Sequence, residues 1–140
     1  MCLLGDGSLL SACRRLAGAR KNILLPGLVR NVADYFRAAD IFVSASQAEG
    51  MPNAVLEALA ASLPVILSDI PAHREVLGNC PEAGWLFAPS DPTALGKCLG
   101  QAVSDVPTRQ AALQLAEQDF SAQSMSNAYQ QLYESALNQA

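Results

Sequence analysis

Histidine occurs once in the 140 residues, at position 73, and the four cysteines, Cys2, Cys13, Cys80 and Cys98, nowhere form a CxxC pair. That scarcity argues against a zinc site, and a chain with this much apolar content does not need a disulfide framework. The cysteines read as reduced, mostly structural thiols of a cytosolic protein. Basic residues are also few: nine, scattered, against thirteen acidic ones, for a net charge of −4. No basic patch exists to hold nucleic acid or an anionic membrane surface. No apolar run approaches the ~20 residues of a membrane span, and "MCLLGDGSLL" lacks the basic start and long apolar stretch of a signal peptide. Repeats, low-complexity segments and long linkers are missing too.

What is present is a core. Apolar residues make up 51% of the chain, enough for one domain over residues 1–140. Short apolar runs alternate with helical patterns. Asn22–Gly27, Asp40–Ser46, Leu63–Asp69 and Gly84–Pro89 read as strands, and Met1–Leu4 as the end of another. Ser8–Ala17, Asn31–Ala39 and Pro52–Ala61 carry helical spacing between them. Strands that are apolar on both faces and separated by helices predict a parallel sheet with covered faces, a Rossmann-like doubly wound α/β core over residues 1–92. After Pro92 only helices follow, at Thr93–Val103, Pro107–Asp119 and Ala122–Leu137. Asp91-Pro92-Thr93 and Val106-Pro107 supply helix starts.

The start is abrupt for such a fold, and the chain reads as cut, with its first strand missing. In a doubly wound sheet that strand is central. Its loss is expected to leave open edges beside "CLLG" and "DIFVSAS", which invite pairing with another chain, including a dimer.

The chemistry concentrates in "SQAEGMPNAVLEALAASLPVILSD". Ligands of doubly wound sheets lie beyond the carboxyl ends of strands, where the chain turns into a helix. Gly50 permits close backbone approach, Pro52 suits a helix start, and the first amides of the helix favour phosphate. Glu49 stands at the mouth. Glu57 stands roughly 7–8 Å further along the axis, in a helix that is otherwise apolar on every side. Two carboxylates flanking an anion site suit the hydroxyls on either side of a diphosphate, as in a nucleotide sugar. Glu57 could instead be a structural residue, either paired to a buried arginine or set along an exposed edge of its helix, and Glu49 alone a polar loop residue. His73 is expected in a loop or at the surface, Glu75 in a structural role, Asp40 and Asp69 as turn or cap residues, and Gly5-Asp6-Gly7 as a tight turn. Trp85 and Phe87 are expected to pack.

The segment "ADIFVSASQAEGMPNAVLEALAASLPVILSDIPAHREVL" resembles the C-terminal donor-binding domain of the retaining family-4 glycosyltransferases of GT-B fold. Their E-x7-E motif matches Glu49 and Glu57, and the likeness runs from "LLGDGSLL" to "FSAQSMSNAYQQLYESAL". The resemblance implies that Glu49 contacts the transferred sugar, with Gly50, Met51, Pro52 and Asn53 along the sugar and diphosphate. Glu57 would hold ribose, and Leu28, Val29 and Asn31 would border the base. It implies transfer of a hexosyl group from a nucleotide sugar, most often a UDP-sugar, with retention and without a metal or other cofactor. The family's glycine-rich loop, basic diphosphate clamp and N-terminal acceptor domain have no counterpart in the sequence. Arg14, Arg15, Arg20 and Lys21 match no clamp motif, and Ser62 replaces a common glycine. The expected parent is a cytoplasmic enzyme, peripheral to the inner membrane at most, and this chain alone is expected to be inactive. A non-catalytic nucleotide-sugar-binding or remnant module is the alternative.

Overall fold

A computed structural model describes residues 1–78, 80–104 and 109–138. They form two compact units, Met1–Tyr35 and Phe36–Ala140. In the first, strands β1 (Cys2–Leu4) and β2 (Leu24–Gly27) are joined through helix α1 (Leu10–Ala17). The strands pair in parallel, Cys2 against Leu24 and Leu4 against Gly27, with an irregularity between. A parallel pair needs such a crossover, because a tight turn cannot reverse the chain twice. Helix α1 ends at Gly18, whose φ of 56° is left-handed and costs glycine little. Arg20 donates to the Leu16 and Ala17 carbonyls at 2.7 and 3.2 Å, closing the same end. Gly5 follows β1 with a φ of 120°, and the hydrogen-bonded turn lies just beyond the expected Gly5-Asp6-Gly7, where the Leu10 amide donates to the Gly7 carbonyl at 2.9 Å.

Helix α2 (Val32–Ala38) leads into the second unit. There β3 (Phe42–Ser44), α3 (Asn53–Ala60), β4 (Val65–Ser68), α4 (Pro71–Leu77) and β5 (Gly84–Phe87) follow in order, with a 3-10 turn over Pro81–Ala83 before β5. Strand β4 is the middle of a three-stranded parallel ladder. Val43 faces Ile66 on one side, and Ile66 faces Trp85 on the other. Leu59, Leu63, Val65, Ile66 and Leu67 are wholly inaccessible. Ile66, Phe87, Cys98 and Ala102 form one core cluster, with Ile41, Trp85, Ala94 and Leu95 packed around it. Trp85 and Phe87 therefore pack as expected.

Helices α5 (Pro92–Ser104), α6 (Arg109–Asp119) and α7 (Ala122–Leu137) complete the chain. Asp91 starts α5 by accepting from the Thr93 and Ala94 amides at 2.9 and 3.0 Å, as an N-cap carboxylate does. The first two residues expected for α6, Pro107 and Thr108, lie outside the described residues. Helix α6 buries Ala111, Ala112, Leu115 and Ala116 and packs against α3. Its small side chains allow close approach. Ser121 caps α7 by accepting from the Ser124 amide at 3.1 Å. Among the described residues no helix is long and apolar enough to cross a membrane.

Three expectations need correction. Only β4 is buried along its whole length; β1 is exposed at all three residues, and β2 and β3 are partly so. Apolar sequence on both faces did not ensure cover. Helix α4 was not anticipated, because seven residues opening with Pro71 are too few to show a helical period. His73, expected in a loop or at the surface, lies inside that helix and is completely buried.

Candidate functional site at the turn from β3 into α3

Residues 45–52 carry the chain from the end of β3 to the start of α3. Proline at position 52 precedes the helix, with Asn53 its first residue. Asn53 turns its amide back to the Met51 carbonyl at 2.9 Å, while Val55 and Leu56 share the Pro52 carbonyl at 2.9 and 3.2 Å. Pro52 is buried, has no amide, and has its one backbone acceptor occupied. It shapes the turn. The amides of Gly50, Met51 and Ala54 make no hydrogen bond among the described residues. These, with the positive end of the helix dipole, are the groups here able to meet an anion. A Cβ built at Gly50 would meet nothing within 4 Å, so the space beside that backbone is open.

The helix expected to be apolar all round has two faces. Val55, Ala58 and Leu59 are buried, whereas Asn53, Ala54, Glu57 and Ala60 are exposed. The error lay in counting alanine as a core residue, since it tolerates either environment. Glu57 follows Asn53 by four positions, so the two share the solvent-facing side. No buried partner is needed to explain its charge. Glu49 is also exposed and accepts from the Ser46 hydroxyl at 2.7 Å. Ser46 Oγ in turn lies 3.3 Å from the donating Ser44 hydroxyl. The Glu49 carboxylate is thus tied at one oxygen and leaves lone pairs toward solvent.

The segment is anchored at two further points. The Ser68 hydroxyl, at the end of β4, donates to the Ser46 carbonyl. Gln47 donates through Nε2 to Ser90 Oγ at 3.3 Å, beyond the end of β5. Sequence reasoning missed Ser46, Ser68 and Ser90. The available signal was Ser68, a lone hydroxyl closing the apolar run Val-Ile-Leu. Nearby, Arg74 holds Asp69 in a two-pronged pair, with Nη2 to Oδ2 at 2.7 Å and a second contact from Nε. Those hydrogen bonds, aided by the guanidinium charge, keep the Asp69 carboxyl below the usual aspartate range. Both side chains remain partly exposed, so the pair is a surface clamp on the β4–α4 turn. Asp40 likewise lies 3.5 Å from Arg109.

The structure gathers Glu49, Gly50, Met51, Pro52, Asn53 and Glu57 on one turn and the helix it starts. Leu28, Val29 and Asn31 belong to the first unit, in the stretch after β2. Leu28 is exposed and Val29 half-buried, and Asn31 donates to Asp34 at 3.0 Å. Of the basic residues near the start, Arg14 donates to the Leu25 carbonyl at 3.2 Å and Arg20 to carbonyls of its own helix.

Parallel strands joined by helices, with the candidate site beyond the carboxyl end of a strand, define a Rossmann-like α/β protein. Residues 1–105 match the family described as Glycosyl transferases group 1, and the chain belongs to that family. It is 32% identical over 126 residues to the lipopolysaccharide core biosynthesis mannosyltransferase LpsB of Rhizobium meliloti (strain 1021), covering 86% of this chain and 36% of that protein. A glycosyltransferase of Rickettsia africae ESF-5 shares the fold with a TM-score of 0.84 at 21% identity, over 99% of this chain and 40% of that one. Anabaena HepE, solved in complex with UDP and glucose, does so with a TM-score of 0.77 at 18% identity, over 96% and 40%. The fold is the Rossmann-like half of a GT-B glycosyltransferase. The chain spans little more than a third of the mannosyltransferase it matches.

Proposed function

We propose that this chain holds the nucleotide-sugar donor for a glycosyltransferase that passes a hexosyl group to an acceptor hydroxyl with retention. The observation that carries the reading is the turn into α3. It sets open amides and the helix dipole beside Glu49, with Glu57 along the solvent-facing side of the same helix. In this reading the diphosphate meets the amides of Gly50, Met51 and Ala54. Glu49 accepts from hydroxyls of the transferred sugar, and Glu57 from the ribose. The mannosyltransferase relative and the UDP-bound HepE neighbour support this choice of substrate class. Catalysis also requires an acceptor held against the donor, and the chain corresponds to 36% of its relative. We therefore propose that it binds donor without turning it over.

Calorimetric titration with UDP, UDP-glucose and GDP-mannose tests the reading. Losing a hydrogen bond to a charged group is worth about 1.5–3 kcal/mol, or roughly one to two decades in affinity. Glu57→Gln is expected to weaken nucleoside diphosphate and intact donor alike by that factor. Glu49→Gln is expected to weaken only the intact donor. Because Glu57 is exposed, its substitution should leave stability within about 0.5 kcal/mol. A wild-type chain that binds none of the three nucleotides removes the reading.

A further inference from the structure

Among the described residues, Ser68 and His73 are the two buried polar ones, both with no accessible surface. A buried polar pair in an apolar core is costly unless its hydrogen bonds are made. Here they are made on one side of the ring only: His73 Nδ1 has partners, whereas Nε2 has none among the described residues. His73 Nδ1 lies 2.8 Å from the Ser68 carbonyl oxygen and 3.3 Å from its hydroxyl. A carbonyl only accepts, so Nδ1 carries the proton. The opposite tautomer would set two acceptors against each other and would bury an N–H at Nε2, which has no partner. With Nδ1–H donating, the single Ser68 hydroxyl proton is free for the Ser46 carbonyl. The Ser46 hydroxyl then donates to Glu49. Each link leads outward, from the interior of α4 through the end of β4 to the loop.

We infer that His73 and Ser68 are positioning residues, which hold Ser46 and through it fix the Glu49 carboxylate for the transferred sugar. This rests on the donor-binding reading above. Neither residue touches the ligand in this scheme. Helix α4 supplies a buried anchor outside the loop, and Ser68 transmits it across the strand end. An exposed carboxylate held by Ser46 alone would sample several rotamers, and ordering it would be charged against donor affinity.

Two measurements on the whole chain decide the matter. Ser68→Ala deletes the link to Ser46 but keeps the His73 bond to the residue-68 carbonyl. In the ligand-free chain, 15N order parameters at Gln47, Ala48 and Glu49 are expected to fall from near 0.85 to below about 0.6, with β4 unchanged. UDP-glucose affinity should fall about five-fold, the size of one neutral hydrogen bond, and UDP affinity should hold. His73→Leu should reproduce this loss, and His73→Asn, which retains a donor, should recover part of it. Unchanged order parameters in Ser68→Ala overturn the inference, even where His73→Leu fails to fold. Equal weakening of UDP and UDP-glucose overturns it as well, since that marks general damage. If the wild-type chain binds neither nucleotide, the donor-binding reading fails, and the order parameters alone decide whether Ser68 fixes the loop.

Discussion

Strands β1 and β4 are both short, parallel and apolar, Cys-Leu-Leu in one and Val-Ile-Leu-Ser in the other, yet their environments are opposite. Every residue of β4 is buried, whereas Leu3 and Leu4 keep 43% and 37% of their surface. The difference comes from neighbours. Strand β4 has a strand on each side, and α3 and α5 pack on it. Strand β1 has one ladder partner among the described residues, β2, whose Leu24 is itself 59% exposed. Hydrophobic sequence states a demand, at about 25 cal/mol for each Å² removed from water. Only the surrounding elements meet it.

The contrast is broken most directly by truncating one residue in each ladder. Ile66 is inaccessible, inside the cluster with Phe87, Cys98 and Ala102, so Ile66→Ala leaves a cavity and should cost about 2–5 kcal/mol. Leu24→Ala in β2 should cost about 0.5 kcal/mol or less, as surface changes do. Urea unfolding followed by circular dichroism measures both. Equal losses would show that the β1–β2 ladder is as tightly enclosed as β4.

Close strand contact makes a second difference. A Cβ at Gly84 would stand 2.0 Å from the Val65 carbonyl oxygen and 2.7 Å from its side chain. Backbone cannot swing aside as a flexible side chain would. Gly84→Ala should therefore reach about 3 kcal/mol, the upper end of ordinary overpacking. Hydrogen exchange at β4 and β5 amides should locate the loss there, and unchanged protection would contradict the argument. The φ of 174° at Gly84 is ordinary extended backbone, so crowding alone requires glycine.

The same contrast explains how far the sequence could be read. Alternating strands and helices revealed the α/β class, and Asp91-Pro92-Thr93 marked the start of α5, because both signals are local. The strand, Gly-Met-Pro turn and helical pattern over Pro52–Ala61 likewise placed Glu49 at a turn and Glu57 inside a helix. Burial was less legible. Ala54 and Ala60 looked like core and face solvent, whereas the exposure of Leu3 and Leu4 fits the open edge expected beside "CLLG". Helix α4 was too short to show a period, so His73 lost its context. The bonds from Ser68 to Ser46 and from Gln47 to Ser90 span 22 and 43 positions. No local pattern encodes such pairs; they follow from strand order.

A smaller effect than those at Ile66 and Gly84, and of opposite sign, is expected at the end of α3. Ser62 has a φ of 60°, donates its amide to Leu59 O at 2.8 Å, and is followed by Leu63 donating to Ala58 O at 3.0 Å. That pair of bonds is a Schellman motif, in which the left-handed residue is usually glycine. A side chain there costs roughly 1–2 kcal/mol in backbone sterics. Glycine would relieve this, yet it would also give the unfolded chain more freedom, which offsets part of the gain. Ser62→Gly should thus stabilise the protein by about 0.5–1 kcal/mol, a rise of a few degrees in Tm for a domain of this size. The bonds of the motif are main-chain and survive the change, so donor affinity should stay as it is. A loss of stability would mean that the Ser62 side chain makes a compensating interaction worth more than its strain.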